Sequence, residues 1–273
     1  MLKGKTAIIT GASRGIGKAI AERFFKEGAT VFALARDSAA LTQLTINVMQ
    51  DKEHSNKIFA LPCDVSHESE VKAVFDSIVS CGNRKIDILV NAAAIAESYS
   101  LIFQSVFSEW KKVFETNVFG TFLMMKHAIL QMRENRTGKI INFSGGGDGL
   151  EGFSAYSASK IAIVRLTETA AKEVKTFGID INVIAPGPIK TKLFSEMFLQ
   201  SETFSQSGKT PPVAGDIEKP IELALFLASE KSNGLSGKFL SANWDNWSKI
   251  PENLDLIMKD PNVFTLRRIK GKF

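Results

Sequence analysis

Apolar residues in this chain gather into short continuous runs separated by longer stretches of helical character. The runs fall at residues 6–10, 30–35, 58–61, 86–90, 139–143, 180–184 and 238–241, each of strand length and rich in Ile, Val, Leu or Phe. Within them, Ala7-Ile8-Ile9 and Ile88-Leu89-Val90 are apolar at every position. A strand needs that pattern when both faces of its sheet are covered. Strands alternating with helices indicate βαβ units, so the expected fold is α/β: a doubly wound parallel sheet of the Rossmann type in a single domain. No repeat of fixed period and no low-complexity linker marks a second domain.

Two segments stand outside the alternation. Residues 190–219 connect a strand to a helix and place Leu193, Phe194, Met197 and Phe198 on one helical face, so this insertion is expected to act as a lid. After the last strand come Trp244, Trp247, Pro251 and the apolar run at 263–266, too apolar for a free tail. The expected organisation is a catalytic domain over 1–243 and an extension over 244–273 packed on the domain or on a neighbouring subunit.

The 273 residues, 44% of them hydrophobic, suffice to bury one large core. A net charge of +5 is modest, and much of it sits in Arg267, Arg268, Lys270 and Lys272, so no basic face for nucleic acid is expected. The most apolar window, 118–130, is interrupted by Lys126 and His127 and is too short for a bilayer. The first residues lack the apolar core and cleavage site of a signal peptide, which makes a cytoplasmic protein the expectation. Cys63 and Cys81 lack the spacing of a metal site or a redox pair, so no metal is expected and both are read as core thiols.

The first run opens into Gly11-Ala12-Ser13-Arg14-Gly15-Ile16-Gly17 and then a helix. Glycines here let the backbone turn tightly against a pyrophosphate, and the free N–H groups at the helix start favour its charge. Gly11, Ser13, Arg14, Gly15, Ile16 and Gly17 are therefore expected to bind a dinucleotide. In NAD-selective dehydrogenases a carboxylate ends the second strand and meets the adenine ribose. Here that position is Ala35, Arg36 follows it, and Arg14 lies in the glycine turn, so two guanidiniums are available for a 2′-phosphate. NADP(H) is the expected coenzyme in preference to NAD(H), with Asp37 close enough to serve a ribose if the strand ended two residues later.

Only two tyrosines, Tyr99 and Tyr156, stand against 20 phenylalanines, so a phenol at 156 calls for a reason. Lys160 lies one helical turn further on and shares its face. Its charge is expected to lower the phenol pKa towards working pH, as general acid–base catalysis requires.

The GxxxGxG spacing at 11–17 and Tyr156-Ser157-Ala158-Ser159-Lys160 resemble the short-chain dehydrogenase/reductase family. The resemblance spans nearly the whole chain, through Asp64-Val65, Asn91-Ala92-Ala93-Ala94, Asn117, Ser144 and Pro186-Gly187-Pro188-Ile189-Lys190-Thr191 in the family's order. It implies that Asp64 and Val65 border the adenine, that Asn91 supports the coenzyme side of the sheet, that Pro186 and Gly187 help bind the coenzyme, and that Ile189 and Thr191 contact the nicotinamide carboxamide. It further implies that Tyr156 exchanges a proton with the substrate, that Lys160 holds the nicotinamide ribose, and that Asn117 holds a water in the proton relay. The family's usual pattern has two serines after the fifth strand, the second catalytic and thirteen residues before the tyrosine. This chain reads Asn142-Phe143-Ser144-Gly145-Gly146-Gly147, and Ser144, twelve residues before Tyr156, is expected to take over.

The resemblance implies interconversion of a ketone or aldehyde and an alcohol, and a homotetramer or homodimer built on helices around 108–133 and 154–177. A β-ketoacyl carrier reductase is an alternative, with Arg136 matching one of two basic residues that hold the carrier protein and Phe177 replacing the other. Trp244 and Trp247 leave room for a sugar-derived substrate. A non-catalytic NADP(H)-binding regulator of the same fold is the alternative of a different kind.

Overall fold

The computed structural model describes residues 1–50, 56–80, 82, 85–145 and 149–266. Its strands are β1 (Thr6–Thr10), β2 (Thr30–Ala35), β3 (Ile58–Pro62), β4 (Ile88–Asn91), β5 (Gly138–Phe143), β6 (Ile179–Ala185) and β7 (Phe239–Ser241). They form one parallel sheet in the order β3-β2-β1-β4-β5-β6-β7. All seven expected runs are strands, with shifts of up to two residues at their ends.

The continuous apolar runs have the expected cause. Ala7 and Ile9 of β1 join the core on one side of the sheet, while Ile8 joins the core on the other. On the first side lie α1 (Gly15–Lys26), α2 (Ser38–Met49) and α9 (Glu218–Ala228), and on the second α3 (Glu68–Ser80), α5 (Gly120–Asn135) and the end of α6 (Ser154–Glu173). A short helix, α4 (Phe107–Phe114), runs into α5 through a π turn at Glu115–Phe119. Among the described residues no helix is long and apolar enough to cross a membrane.

Thr10 is paired with Leu34 of β2 and Asn91 of β4, and the connections from these strands leave in opposite directions along the sheet. Such a reversal opens a crevice at the carboxyl ends of the strands. Residues 190–219 lie over it as α7 (Lys192–Phe194), a π turn at Ser195–Leu199 and α8 (Glu202–Gln206).

The chain after β7 folds back as α10 (Ile250–Lys259). Trp247 packs on Phe226 with ring centroids 5.6 Å apart, whereas Trp244 is 86% exposed. The Phe239 N–H donates to the Phe264 carbonyl at 2.7 Å, which covers the open edge of β7. Buried Lys238 donates to the carbonyls of Ile257, Asp260 and Val263 at 2.8, 3.3 and 2.9 Å, placing its ammonium where the α10 dipole is negative. Cys81 and the basic residues 267–272 lie outside the described residues.

Candidate active site

The turn after β1 is built around glycines that nothing larger replaces. A Cβ on Gly11 would stand 2.8 Å from the Ala93 nitrogen, and one on Gly17 2.5 Å from the Gly11 carbonyl. Gly11 and Gly15 also have φ of 66° and 56°, which glycine adopts without strain. Thr10 ties this turn to the end of β4, its hydroxyl accepting from the N–H groups of Ala92 and Ala93 at 3.1 Å. Helix α1 begins at Gly15 with no side-chain cap and no acidic residue in its first turn. Its leading N–H groups and dipole are therefore available to an anion, which fits a pyrophosphate.

A cleft of about 410 Å³ extends from this turn across the strand ends. One end gathers Gly11, Ser13, Arg14, Gly15, Ile16, Gly17, Arg36, Asp64 and Val65, and the other Ser144, Tyr156, Lys160 and Pro186, while Thr191 stands against Gly15 between them. Asn91, Asn117, Gly187 and Ile189 do not line it. Asn91 donates to the Asn142 side chain at 2.9 Å, across β4 and β5, and leaves its own Oδ1 buried without a partner. Asn117 lies in the π turn, fully buried; its amide accepts from the Ile95 N–H and donates to the Ile95 carbonyl, both at 2.9 Å, and donates to Ser159 Oγ at 3.0 Å. Gly187 (φ 76°) packs against Asn243, and Ile189 is buried in a bridge to Gly215.

At the end that holds the arginines, Arg36 Nη1 is 3.7 Å from Asp64 Oδ2 and Arg14 Nη1 is 3.5 Å from Glu196 Oε1. Burial works against ionisation of Asp64, but hydrogen bonds from Ser66 and the charge of Arg36 hold its carboxyl below the usual range. Asp37 caps α2 by accepting from the Ala40 N–H at 2.9 Å, so β2 ends where expected and this carboxylate is committed to the helix.

At the other end, helix α6 presents Tyr156 and Lys160 one turn apart. Lys160 is buried, its ammonium 3.1 Å from the Phe143 carbonyl and 5.6 Å from the centre of the Tyr156 ring. Burial pushes Lys160 down to about 8. Tyr156 moves opposite to the sequence expectation: burial, and then the charge of Glu97, push it up to about 12. The lysine ammonium faces the ring and a carbonyl, and desolvation of the phenolate outweighs its attraction.

Glu97 escaped the sequence reading. Its buried carboxylate accepts from the N–H groups of Ala155 and Tyr156, and Phe153, the residue at the N-cap of α6, offers no side-chain bond. No local pattern marks a cap supplied from 58 residues away; the one available cue was a phenylalanine at the start of the helix.

The serine region departs from the family pattern in geometry too. Ser144 is buried and its hydroxyl donates to the Lys160 carbonyl at 3.1 Å, so it braces α6. A Cβ on Gly145 would lie 2.8 Å from Tyr156 Oη: the phenol rests against the glycine where a serine would project. Gly146 and Gly147 lie outside the described residues. Arg136 donates to the Thr176 carbonyl at 3.0 Å.

Phe194, Met197, Phe198 and Phe204 of the 190–219 segment pack with Phe153 into a separate apolar cluster, against which Tyr99, Leu193 and Tyr156 are set.

A family model described as short chain dehydrogenase matches residues 5–202. A glucose and ribitol dehydrogenase homolog from Oryza sativa subsp. japonica is 34% identical over 258 residues, covering 89% of this chain and 85% of that protein. A 3-oxoacyl-(acyl-carrier-protein) reductase from Staphylococcus aureus is 32% identical over 248 residues, covering 88% and 96%. Among solved structures, a 3-ketoacyl-(acyl-carrier-protein) reductase from Brucella melitensis complexed with NADH superposes with a TM-score of 0.77 at 27% identity, covering 88% of this chain and 97% of the other. A short-chain type dehydrogenase/reductase from Mycobacterium marinum gives 0.78 at 31%, covering 88% and 94%.

Proposed function

The chain belongs to the short-chain dehydrogenase family, whose members are oxidoreductases that bind a nicotinamide coenzyme, and on that premise we propose that it interconverts a ketone or aldehyde and an alcohol with NADP(H), using Tyr156 as the proton donor and acceptor. The observation that carries the reading is the layout of one cleft: a glycine turn with two arginines at one end, Tyr156 and Lys160 at the other.

The turn and the start of α1 would hold the pyrophosphate, Arg14 and Arg36 a 2′-phosphate, Asp64 and Val65 the adenine, and Pro186 and Thr191 the nicotinamide end. Bound there, the coenzyme supplies or accepts the hydride. The rest falls to the chain's own residues. Tyr156 Oη gives its proton to the carbonyl oxygen in reduction and takes it back in oxidation, a step typically worth about 10²- to 10⁴-fold. Lys160 Nζ lies within reach of both the Phe143 carbonyl and the phenol ring, in position to bond a ribose hydroxyl and to favour the phenolate once its ammonium is drawn from that carbonyl. Asn117 fixes the loop after β4 through Ile95, and Ser144 fixes the backbone of Lys160.

Selectivity rests on Arg36 more than on Arg14. Asp64 is a weak competitor for Arg36 at 3.7 Å, and a dianionic phosphate would displace it. Arg36→Ala should weaken NADPH about 10- to 100-fold, the effect of one charge-assisted bond of roughly 1.5–3 kcal/mol, with little change for NADH. Comparing kcat/KM for the two coenzymes in wild type and variant checks this. A wild type that prefers NADH, or an equal loss for both, contradicts the assignment.

A further inference from the structure

Glu97 is carried by the loop after β4 and keeps 8% of its surface exposed. Its Oε1 accepts from the N–H groups of Ala155 and Tyr156 at 2.6 and 3.3 Å, and its Oε2 accepts from Tyr156 at 3.0 Å. These donors belong to the first turn of α6, where a cap is ordinarily a serine, threonine or aspartate at the helix start. Hydroxyls do stand nearby, but Ser154 accepts from the Trp110 indole at 3.2 Å and Ser157 from the Leu150 N–H at 3.0 Å. A carboxylate drawn into the interior from a distant loop carries a desolvation cost that a local hydroxyl would avoid. It also does something a hydroxyl could not: it sets a full negative charge beside the helix start and beside Tyr156.

We propose that Glu97 is a positioning residue for Tyr156, locking the backbone of the acid–base tyrosine to the loop after β4 and holding a carboxylate beside it. The proposal rests on the reading of Tyr156 given above. Two observations beyond the hydrogen bonds support it. Asn117 clamps both backbone groups of Ile95, two residues before Glu97, so the carboxylate is held from a rigid base. Glu97 also raises the Tyr156 pKa, second only to burial, and burial raises that of Glu97 itself.

The surrounding charges leave this pairing intact. From α4, Glu109 adds negative charge, its own carboxylate accepting from the Ser98 N–H at 3.3 Å. From α6 come Tyr156 and Lys160, the latter bonded to the Phe143 carbonyl. A recess that Glu97 itself lines also takes in Glu196 and Glu202 of the 190–219 segment, together with Arg14 and Arg36. Those arginines pair with Glu196 and Asp64, and neither is among the groups that shift Glu97, where burial, backbone hydrogen bonds and Glu109 act.

The chain's tyrosine content makes the test direct. With tyrosine labelled at the ¹³Cζ position, the protein has two phenol resonances, and Tyr99→Phe leaves that of Tyr156 alone. Its pH titration with saturating NADP⁺ is compared in that background with and without Glu97→Gln or Glu97→Ala. Glu97→Gln removes the charge but keeps a carbonyl oxygen able to accept both N–H groups, as Oε1 does. Its Tyr156 midpoint should fall by about 0.5–1 pH unit with the melting temperature nearly unchanged. Glu97→Ala should lower both. The basic limb of kcat for carbonyl reduction should move with the midpoint in Glu97→Gln, with KM little affected. A midpoint and pH profile unchanged in both variants would overturn the proposal and leave Glu97 a simple cap. The resonance needs no turnover, so a chain that reduced no carbonyl would overturn the oxidoreductase reading while the titration still decided this one.

Discussion

At position 145 the missing side chain shapes the chemistry. The Tyr156 hydroxyl lies 2.8 Å from where a Cβ would be, so Gly145→Ser, which restores the family's usual residue type, should push the phenol aside and lower kcat about tenfold or more. Steady-state kinetics of Gly145→Ser and Ser144→Ala check this; a gain of activity in Gly145→Ser would show that the serine function is merely absent. Lys160 offers a second test. Its pKa of about 8 in the fold lies below the ordinary 10.5, so between those values the unfolded chain binds a proton that the folded chain does not. Stability from this group therefore rises with pH across that window, by up to about 3 kcal/mol for the full shift. Thermal melts should show wild type gaining on Lys160→Met from pH 8 to pH 10, and parallel curves would contradict the burial of a titrating lysine. The pairing of Tyr156 with Lys160 was legible in the sequence because one helical turn separates them. The direction of the phenol's shift was not, because desolvation and Glu97 act only once distant segments meet.

At the scale of elements, the strands were legible because burial on both faces leaves its mark on every residue of a run. The ends were less so: β4 begins two residues late and runs on to Asn91, where pairing with β5 extends it. The apolar face of 193–198 was legible as well, but its division into α7, a π turn and α8 was not, since it depends on packing against Phe153 from another loop. We propose that this segment is a lid which orders over coenzyme and substrate. Phe198 makes edge contacts with Phe153 and Phe204, and its loss should loosen the segment locally. Limited proteolysis should cut within 190–219 faster in Phe198→Ala than in wild type, and NADPH with a substrate analogue should suppress the cut in both. Cleavage indifferent to ligand would argue against closure.

At the scale of the whole molecule, one cleft joins segments from almost the full length of the chain: the turn after β1, the end of β2, the loops after β3 and β4, the start of α6 and the loop after β6. The motifs were legible because each is short and recurs at a strand end. The supports that hold them were not, for Asn142 with Asn91, Glu97 with α6 and Lys238 with α10 are long-range bonds without a local pattern. The central claim is that this assembly moves a proton through Tyr156 while a coenzyme handles the hydride. Tyr156→Phe removes one oxygen and leaves the ring, Lys160 and the glycine turn in place, so it tests that claim most directly. The account predicts that NADPH binds the variant with nearly wild-type affinity while kcat for carbonyl reduction falls by about 100-fold or more. Turnover at the wild-type rate in Tyr156→Phe would contradict it.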